Sequence, residues 1–403
     1  MIDIVLDVIN YILVAILIGV SATWISLIKS MLNTFSNSPF LDKFEEKSHS
    51  KPKVSVILPA RNEEKFIEKC LNSLVEQDYD NYEIIAINDS SDDSTGNIMK
   101  KYSEKFPKVI FVDANPKPDG WMGKNWACME GYKKATGDLL LFTDSDTSHT
   151  SSVISLAVSH LLSLKLDALT VIPKMLCLDP ITKITLPMIS IFLHTRFSAL
   201  RVNDPTKNTG YFFGSFFIIN KTTYDAIGTH EGVKGEIIED GALGKKVKES
   251  GFKMRMVDGR HLVDAIWARD SSTLWNALKR LMIPLYLQNP RIAIGSSFAV
   301  LFLLFVPFPL FVYSIIFTSS EISSVILFVV SGIASVLIYI GGVLDAVKGI
   351  GSDIKYSLFA PIGGFIVASG FFAGLIQSTS KHAVSWRGRT YYMKDQIQKS
   401  INV

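Results

Sequence analysis

The sequence predicts an α/β protein with a mostly parallel, Rossmann-like sheet, helices on both faces of that sheet, and transmembrane helices at both ends of the chain. Two observations predict this class. Between residues 51 and 289, apolar strand patterns alternate with amphipathic helix patterns at the spacing of right-handed β-α-β units. Outside that segment apolar residues concentrate, which raises the apolar fraction of the 403 residues to 48% and leaves 20% charged.

Charge and cysteine content exclude several classes of protein. The formal net charge is +3 and no basic run is long enough for a nucleic-acid footprint, so no nucleic-acid partner is predicted. Cys70, Cys128 and Cys177 lie far apart in no metal-ligating spacing, which favours reduced thiols over a zinc site or a disulfide framework. The seven histidines are scattered, and none is assigned a catalytic role.

The N-terminal apolar stretch, residues 5–28, is interrupted only by Asp7 and Asn10 and exceeds the roughly 20 residues needed to cross a bilayer. It lacks the basic n-region and the cleavage site of a secretory signal, so it predicts an uncleaved anchor within residues 1–32. A polar linker follows at residues 33–52. The lysines after the anchor predict that the next domain faces the cytoplasm.

The predicted α/β domain covers residues 53–268. Its first helix pattern places Ile67, Leu71 and Leu74 on one face. No G-x-G-x-x-G follows the first strand, which counts against a dinucleotide cofactor. The predicted parallel strands are residues 54–59, 83–87, 109–112 and 139–142.

Polar side chains follow three of these strands, at residues 61–63, 89–93 and 144–146. Because parallel strands place their carboxyl ends at one edge of the sheet, these loops are expected to share that edge. A nucleotide with a base, a ribose and a diphosphate needs such an extended polar edge. The sequence therefore favours a nucleotide site there.

Asp144 and Asp146 end the apolar strand 139–142. Two residues apart on an extended strand end, their carboxylates would point the same way and hold Mg2+ or Mn2+ against the diphosphate of a substrate. A D-x-D alone is equally compatible with a solvated loop. Asp78 and Asp80 form a second such pair, which is expected to be a polar turn.

Five motifs, in order between residue 54 and about residue 264, resemble the inverting family 2 glycosyltransferases of GT-A fold. They are V-S-V-I-L-P-A-R-N-E-E (54–64), N-D-S-S-D-D-S-T (88–95), G-K-N-W-A-C-M-E-G (123–131), G-D-L-L-L-F-T-D-S-D (137–146) and I-I-E-D-G-A-L (237–243). The resemblance implies a GT-A sheet, a nucleotide-diphosphate sugar as donor, usually a UDP-sugar, and transfer with inversion. Asn88 and Met129 depart from the family pattern and leave the sugar open.

The resemblance also implies roles for individual residues. Asp89 would hydrogen-bond the base, and Asp240 would be the general base, with Glu239 beside it in the catalytic pair. Asp144 and Asp146 would hold the metal. The residues implied in nucleotide-sugar binding are Pro59, Arg61, Glu63, Asp89, Lys124, Asp144 and Gly214, the last ending an acceptor-side loop at 210–214.

Chemistry supports one acceptor-side carboxylate, because inverting transfer is a single displacement in which a base removes the proton of the attacking hydroxyl. Structural alternatives remain for several of these residues. Glu239 and Asp240 could instead place acidic charge at the start of a helix predicted at 241–248. Asp93 is expected to cap a helix. Lys124 could be a solvated lysine, and the nearby tryptophans Trp121 and Trp126 are either packing or acceptor-site residues.

The C-terminal part predicts membrane association. Amphipathic patterns at 181–200 and 269–290 indicate buried or interfacial helices, and 291–378 contains apolar spans at 292–317, 322–344 and 356–376. Pro307 and Pro309 interrupt the first span, which favours a re-entrant loop and a cytoplasmic tail. The basic tail, 379–403, contains S-W-R-G-R-T-Y (385–391), which resembles the tail of the carotenoid-acid and hopanoid-associated glycosyltransferases.

Together these features predict an integral membrane glycosyltransferase, dependent on a divalent cation, that transfers a sugar from a UDP-sugar to a lipid hydroxyl or carboxylate. Two alternatives stay open. One is a polyprenyl-phosphate sugar transferase, and the other is a sugar-nucleotide-binding membrane protein without catalysis. The absence of a Q-x-x-R-W motif weighs against a processive polysaccharide synthase.

Overall fold

The computed structural model describes residues 2–43, 51–317, 321–380, 383–386 and 389–392. These residues form two compact units. The helical unit comprises Met1–Asn37, Cys177–Arg196 and Ala268–Val384, and the α/β unit comprises Ser38–Leu176, Phe197–Trp267 and Ser385–Val403. The α/β unit thus omits residues 177–196 of the predicted 53–268 domain and includes part of the tail.

Strands and helices alternate through the α/β unit. The strands are β1 (Val54–Ala60), β2 (Tyr82–Asn88), β3 (Val109–Asp113), β4 (Leu139–Phe142), β5 (Thr147–His149), β6 (Ala168–Ile172), β7 (Lys174–Cys177), β8 (Phe217–Asn220), β9 (Met254–Asp258), β10 (Val263–Ala268), β11 (Ala383–Trp386) and β12 (Arg389–Tyr392). The helices are α1 (Ile2–Asn37), α2 (Ile67–Val75), α3 (Thr95–Lys105), α4 (Gly123–Tyr132), α5 (Val153–Ser163), α6 (Pro180–Arg196), α7 (Ala199–Asn203), α8 (Lys221–Ala226), α9 (Glu239–Glu249), α10 (Ser271–Gln288), α11 (Pro290–Leu304), α12 (Pro307–Ile316), α13 (Ile322–Leu344) and α14 (Ala360–Ser380).

The main sheet has seven strands in the order β3-β2-β1-β4-β8-β6-β9. Neighbours pair in parallel except at β4/β8 and β6/β8, so β8 is the one antiparallel strand of this sheet. The predicted mostly parallel sheet is therefore confirmed. A second sheet of β5, β10 and β7 follows the carboxyl end of β4.

Successive side chains of the central strands point to opposite faces of the sheet and contribute to two apolar cores, one on each face. Val56 and Leu58 of β1 lie in one core, and Ile57 lies in the other. The predicted face of α2 is confirmed, because Ile67, Leu71 and Leu74 are all buried. Burying such a side chain contributes about 1.5–3 kcal/mol, so both cores hold the carboxyl ends of the strands in fixed positions.

The helical unit pairs α1 with α13 in the same direction. Near their first turns the Ser323 hydroxyl donates to the Asp7 carboxylate, and further along a Cβ on Gly341 would stand 2.0 Å from the Trp24 ring. Only glycine permits that approach. Among the residues that the structure describes, three helices are long and apolar enough to cross a membrane, namely those within 4–37, 322–350 and 354–378.

Helices α11 and α12 form a bent pair with an angle of 51° between them, which confirms the break predicted at Pro307 and Pro309. The bend is compatible with one broken span and with the predicted re-entrant loop, which stays a prediction.

Candidate active site

Asp144 and Asp146 lie in the loop between β4 and β5. The Thr147 hydroxyl donates to the backbone carbonyl of Asp144 at 2.7 Å, and the Ile266 amide donates to that of Asp146 at 3.2 Å. Residues 145 and 146 form a turn, so the two carboxylates do not stand on an extended strand end as predicted. These contacts to the backbone carbonyls hold the loop in place.

Lys124, in the first turn of α4, joins two of the predicted acidic residues. Its Nζ lies 2.6 Å from Oδ1 of Asp144 and 2.6 Å from Oε1 of Glu239. Burial lowers the pKa of Lys124, but Asp144, Glu239 and Asp240 together raise it well above its usual value. With 18% of its side chain exposed, Lys124 is a buried ammonium and not a solvated surface lysine.

Asp240 faces the same place from the start of α9. Its Oδ2 accepts a hydrogen bond from the Gly214 amide at 2.8 Å, and its Oδ1 accepts one from the Gly241 amide at 2.7 Å. A Cβ on Gly214 would stand 2.8 Å from that Oδ2, 3.1 Å from Oδ2 of Asp144 and 3.1 Å from Nζ of Lys124. Three charged groups therefore converge on a position that only glycine leaves open.

Burial and the neighbouring Glu239 raise the pKa of Asp240 to about 7, although Lys124 acts in the opposite direction. A carboxylate with a pKa near neutrality can accept a proton and release it again, as a general base requires. The position at the start of α9 also satisfies the alternative that Asp240 complements the helix dipole. The position of Asp240 is therefore compatible with both predicted roles.

Arg61 ties the loop after β1 to the loop after β2. Its Nη1 donates to the backbone carbonyls of Asp89 and Ser90, the first at 2.7 Å. Asn62 and Ser90 adopt left-handed backbone conformations, with φ of 54° and 52°, so both loops turn sharply at this point. The predicted donor residue Arg61 therefore also shapes the loop that presents Asp89.

Two other residues predicted to bind the nucleotide sugar, Pro59 and Glu63, are buried. Pro59 lies within the fully buried strand β1, and Glu63 is 3% exposed, with its amide bound to the Thr95 hydroxyl at 2.7 Å. The N-cap residue of α3 is Ser94 and not Asp93 as expected, although Oδ1 of Asp93 accepts the Thr95 amide at 2.9 Å. Pro59 and Glu63 thus lie behind the polar edge in this structure.

Trp121 and Trp126 pack edge to face, with ring centroids 5.2 Å apart. Trp121 is buried, and the Trp126 indole donates to the Asn115 carbonyl at 2.8 Å. These contacts account for both rings as packing residues beside Lys124. Cys70, Cys128 and Cys177 are free thiols, as predicted.

Sequence reasoning missed Arg389, at the start of β12. Its Nη1 lies 2.5 Å from Oδ2 of Asp89, so a tail residue touches the carboxylate expected to bind the base. The tail motif at 385–391 was the available signal. Residues 387 and 388 of that motif lie outside the described residues, as does the side chain of Trp386.

The expected divalent cation requires side chains that can serve as its ligands. Within the described ranges, no group of three or more His, Cys, Asp or Glu side chains is arranged to hold a metal. Mg2+ at nucleotide sites usually takes one or two carboxylates and completes its shell with phosphate oxygens and water, so a carboxylate pair is sufficient. Burial raises the pKa of the nearby Cys70 thiol to about 12, which leaves oxygen as the ligand atom. Asp144 and Asp146 therefore fit a hard cation shared with a diphosphate.

Comparison with known proteins agrees with the predicted fold. Residues 55–228 match the family model described as Glycosyl transferase family 2. A solved mannosyltransferase from Pyrobaculum calidifontis, in complex with GDP-Man and Mn2+, has the same fold, with a TM-score of 0.53 and 15% identity over 91% of this chain and 99% of that one. The predicted GT-A fold is thus confirmed, and residues 55–228 are similar to glycosyltransferase family 2.

Two relatives extend the similarity. The 4,4'-diaponeurosporenoate glycosyltransferase of Staphylococcus haemolyticus is 26% identical over 247 residues, which is 60% of this chain and 64% of the relative. The probable glycosyltransferase YdaM of Bacillus subtilis is 34% identical over 142 residues, 32% of this chain and 33% of the relative. The predicted resemblance to carotenoid-acid glycosyltransferases is confirmed, although the chain spans less than two thirds of the length of either relative.

Proposed function

We propose that this chain is a membrane-bound glycosyltransferase that moves a sugar from a nucleotide-diphosphate sugar to a lipid acceptor with inversion. The convergence of Asp240, Asp144 and Lys124 on Gly214 carries the proposal. It brings a candidate base, a candidate metal ligand and a fixed positive charge to one position without a side chain.

In this mechanism Asp240 accepts the proton of the acceptor hydroxyl as its oxygen attacks the anomeric carbon. Gly214 and Gly241 hold the carboxylate of Asp240 through their amides and fix its orientation. The ammonium of Lys124 stabilises negative charge that develops on the leaving diphosphate. A divalent cation, Mg2+ or Mn2+, held by Asp144 and Asp146 would neutralise the same diphosphate.

The donor is proposed to be a UDP-sugar bound along the loops after β1, β2 and β4. Asp89 lies at the end of β2, where the family resemblance puts the residue that hydrogen-bonds the base. The P. calidifontis mannosyltransferase supports a nucleotide-diphosphate sugar as the donor class, since that protein binds GDP-Man with Mn2+. Asn88 donates to Asp113 at 2.8 Å and so has a structural partner in place of the carboxylate that the family usually has there.

The acceptor is proposed to be a lipid because the same chain contains helices long and apolar enough to cross a membrane. The relative from S. haemolyticus is named for 4,4'-diaponeurosporenoate, an apolar carboxylic acid. A carboxylate acceptor has no proton to lose at neutral pH, and Asp240 would then contribute little. A hydroxyl acceptor requires Asp240. The α/β unit is proposed to face the cytoplasm, following the lysines after α1.

The test uses the full-length protein, purified in detergent, with radiolabelled UDP-sugars or GDP-mannose, Mn2+, and either hydroxyl or carboxylate lipids. The proposal predicts a labelled lipid product that disappears when EDTA removes the cation. A product made only with polyprenyl phosphate would support the alternative transferase. Nucleotide binding without product for any acceptor would contradict an enzyme and favour a sugar-nucleotide-binding protein.

A further inference from the structure

The carboxylate of Asp89 has two oxygens in different surroundings. Oδ2 accepts a hydrogen bond from Nη1 of Arg389 at 2.5 Å, and Nη2 of Arg389 lies 3.4 Å from the backbone carbonyl of Asp89. In the described parts of the chain, no donor lies within hydrogen-bond distance of Oδ1. One oxygen is therefore paired, and the other can accept a further N–H.

Asp89 needs a positive partner because it is only 5% exposed. Burial raises the pKa of Asp89, and the hydrogen bond and charge of Arg389 are the strongest influences that lower it. Arg61 is also close, but its guanidinium contacts backbone carbonyls and the carboxylate of Asp92, not that of Asp89. Arg389 is thus the guanidinium that compensates this buried charge.

The position of Arg389 in the chain makes this contact unexpected. Residues 268–384 belong to the helical unit, and the chain returns to the α/β unit at Ser385. Arg389 then reaches a loop 300 residues earlier in the sequence, with 20% of its side chain exposed. A solvated tail would not bury an arginine against a loop in this way.

We propose that Arg389 is a positioning residue of the donor site, which keeps Asp89 anionic and directs Oδ1 toward an N–H on the base of a nucleoside diphosphate. The inference rests on the proposed function, because it assumes that Asp89 contacts the base. Uracil and guanine both present an N–H on the Watson–Crick edge, so UDP and GDP are the ligand class. Arg389 acts on binding and does not touch the reacting atoms.

The experiment measures UDP and GDP binding by calorimetry with the purified full-length protein in Mn2+, comparing wild type, Arg389→Gln and Arg389→Lys. The matched control is Arg260→Gln, which removes an arginine from a similar pair with Asp258 elsewhere in the α/β unit. Removing a charged hydrogen bond from a buried carboxylate is expected to weaken binding by about 10-fold or more. Arg389→Lys restores part of the affinity, and the control binds as wild type does.

Two further readouts separate positioning from a purely structural role. The loss of nucleotide affinity in Arg389→Gln is expected to grow as the pH falls from 8 to 6, because an unpaired Asp89 carboxylate protonates more readily. The donor KM rises while kcat at saturating donor stays unchanged. Equal binding by wild type and Arg389→Gln would overturn the proposal. Tighter binding by the variant would also overturn it, because Arg389 would then be a competitor of the nucleotide.

The outcome is separable from that of the proposed function. If wild type binds neither UDP nor GDP, the donor assignment fails and this inference fails with it. If wild type binds and Arg389→Gln binds equally well, only the role of Arg389 fails. Thermal unfolding of each variant, compared with Arg260→Gln, distinguishes lost positioning from lost folding.

Discussion

The amide of Gly214 donates a hydrogen bond to Oδ2 of Asp240 at 2.8 Å. This contact fixes the candidate base against a backbone position where any side chain would collide with three charged groups. This hydrogen bond therefore holds the loop before β8 against the start of α9. The distance between Asp240 and the acidic loop after β4 depends on this contact.

Replacing Gly214 with alanine tests whether the position of the Asp240 carboxylate depends on the absence of a side chain at residue 214. The added methyl group would stand 2.8 Å from Oδ2 of Asp240, so the carboxylate must shift by a few tenths of an ångström or more. We expect a loss of transfer of about 100-fold, the effect of a misplaced catalytic group, with little change in Tm. Gly232→Ala is the control, since its methyl group would meet only the flexible end of Lys246 and the Ile227 carbonyl. Full activity in Gly214→Ala would contradict the proposed site.

Lys124→Gln removes the ammonium that joins Asp144 and Glu239. We expect kcat/KM to fall by roughly 100- to 1,000-fold, because stabilisation of the leaving diphosphate is lost. Activity requires ionised Asp240, so it rises with pH through the pKa of that group. Lys124 lowers this pKa, and its removal should move the rise to higher pH. The pH–rate profile checks this.

The control for that experiment is Lys245→Gln, which removes an exposed lysine from the same helix as Asp240. An unchanged profile is expected for it. A Lys124→Gln enzyme with the wild-type rate and pH profile would show that the ammonium is a packing residue only.

The lowered pKa of Glu83 predicts how the stability of the fold changes at acidic pH. Burial raises its pKa, but hydrogen bonds from Lys53, Ser55 and Thr136 outweigh burial and lower it to about 2, against 4.5 ordinarily. The folded-state pKa is the lower one, so the stabilisation is complete well above pH 4.5 and is lost as the pH falls toward 2. At pH 7 a shift of this size corresponds to about 3 kcal/mol of stabilisation.

Glu83→Gln should therefore unfold more easily than wild type at pH 7, and the difference should narrow by about 0.8 kcal/mol at pH 4. Thermal unfolding in detergent at both pH values measures the difference, with Glu104→Gln, an exposed change on α3, as the control. A difference that stays constant between pH 7 and pH 4 would mean that Glu83 keeps an ordinary pKa.

The pairing of α1 with α13 predicts the membrane topology. Because α1 and α13 run in the same direction, Glu321, which precedes α13, should lie on the face of the membrane where α1 begins. Asp353, which follows α13, should lie on the face where α1 ends, which is the face proposed to be cytoplasmic.

Cysteine labelling of intact cells with a membrane-impermeant maleimide measures this arrangement. In a Cys177→Ala background, Glu321→Cys should be labelled, while Asp353→Cys should react only after lysis. Labelling of Asp353→Cys in intact cells would contradict the parallel arrangement of α1 and α13.

Local sequence patterns were sufficient to predict the first four strands and the buried face of α2. The strands β1 to β4 appear within two residues of their predicted bounds, because a buried parallel strand is a short apolar run whatever its partners are. The face of α2 followed from its 3.6-residue period. Lys124, Asp144 and Asp240 were expected near one another only through the family resemblance, since they are far apart in sequence.

What the sequence could not reveal depends on contacts between distant residues. The turn at residues 145–146 replaces an extended strand end because the chain enters β5 directly, and no local pattern shows β5 pairing with β10. The direction of α13 relative to α1 rests on Asp7, Ser323 and a glycine beside Trp24. The tail motif at 385–391 contains Arg389, but the motif does not show that this residue reaches Asp89.

The most direct measurement compares sugar transfer by wild type and Asp240→Asn, using purified full-length protein, a labelled UDP-sugar, Mn2+ and a hydroxyl lipid. The control is Glu249→Gln at the other end of the same helix. If Asp240 removes the acceptor proton, Asp240→Asn binds UDP as wild type does and transfers essentially no sugar, while the control remains active. Near-normal transfer to the hydroxyl lipid by Asp240→Asn would contradict the central claim.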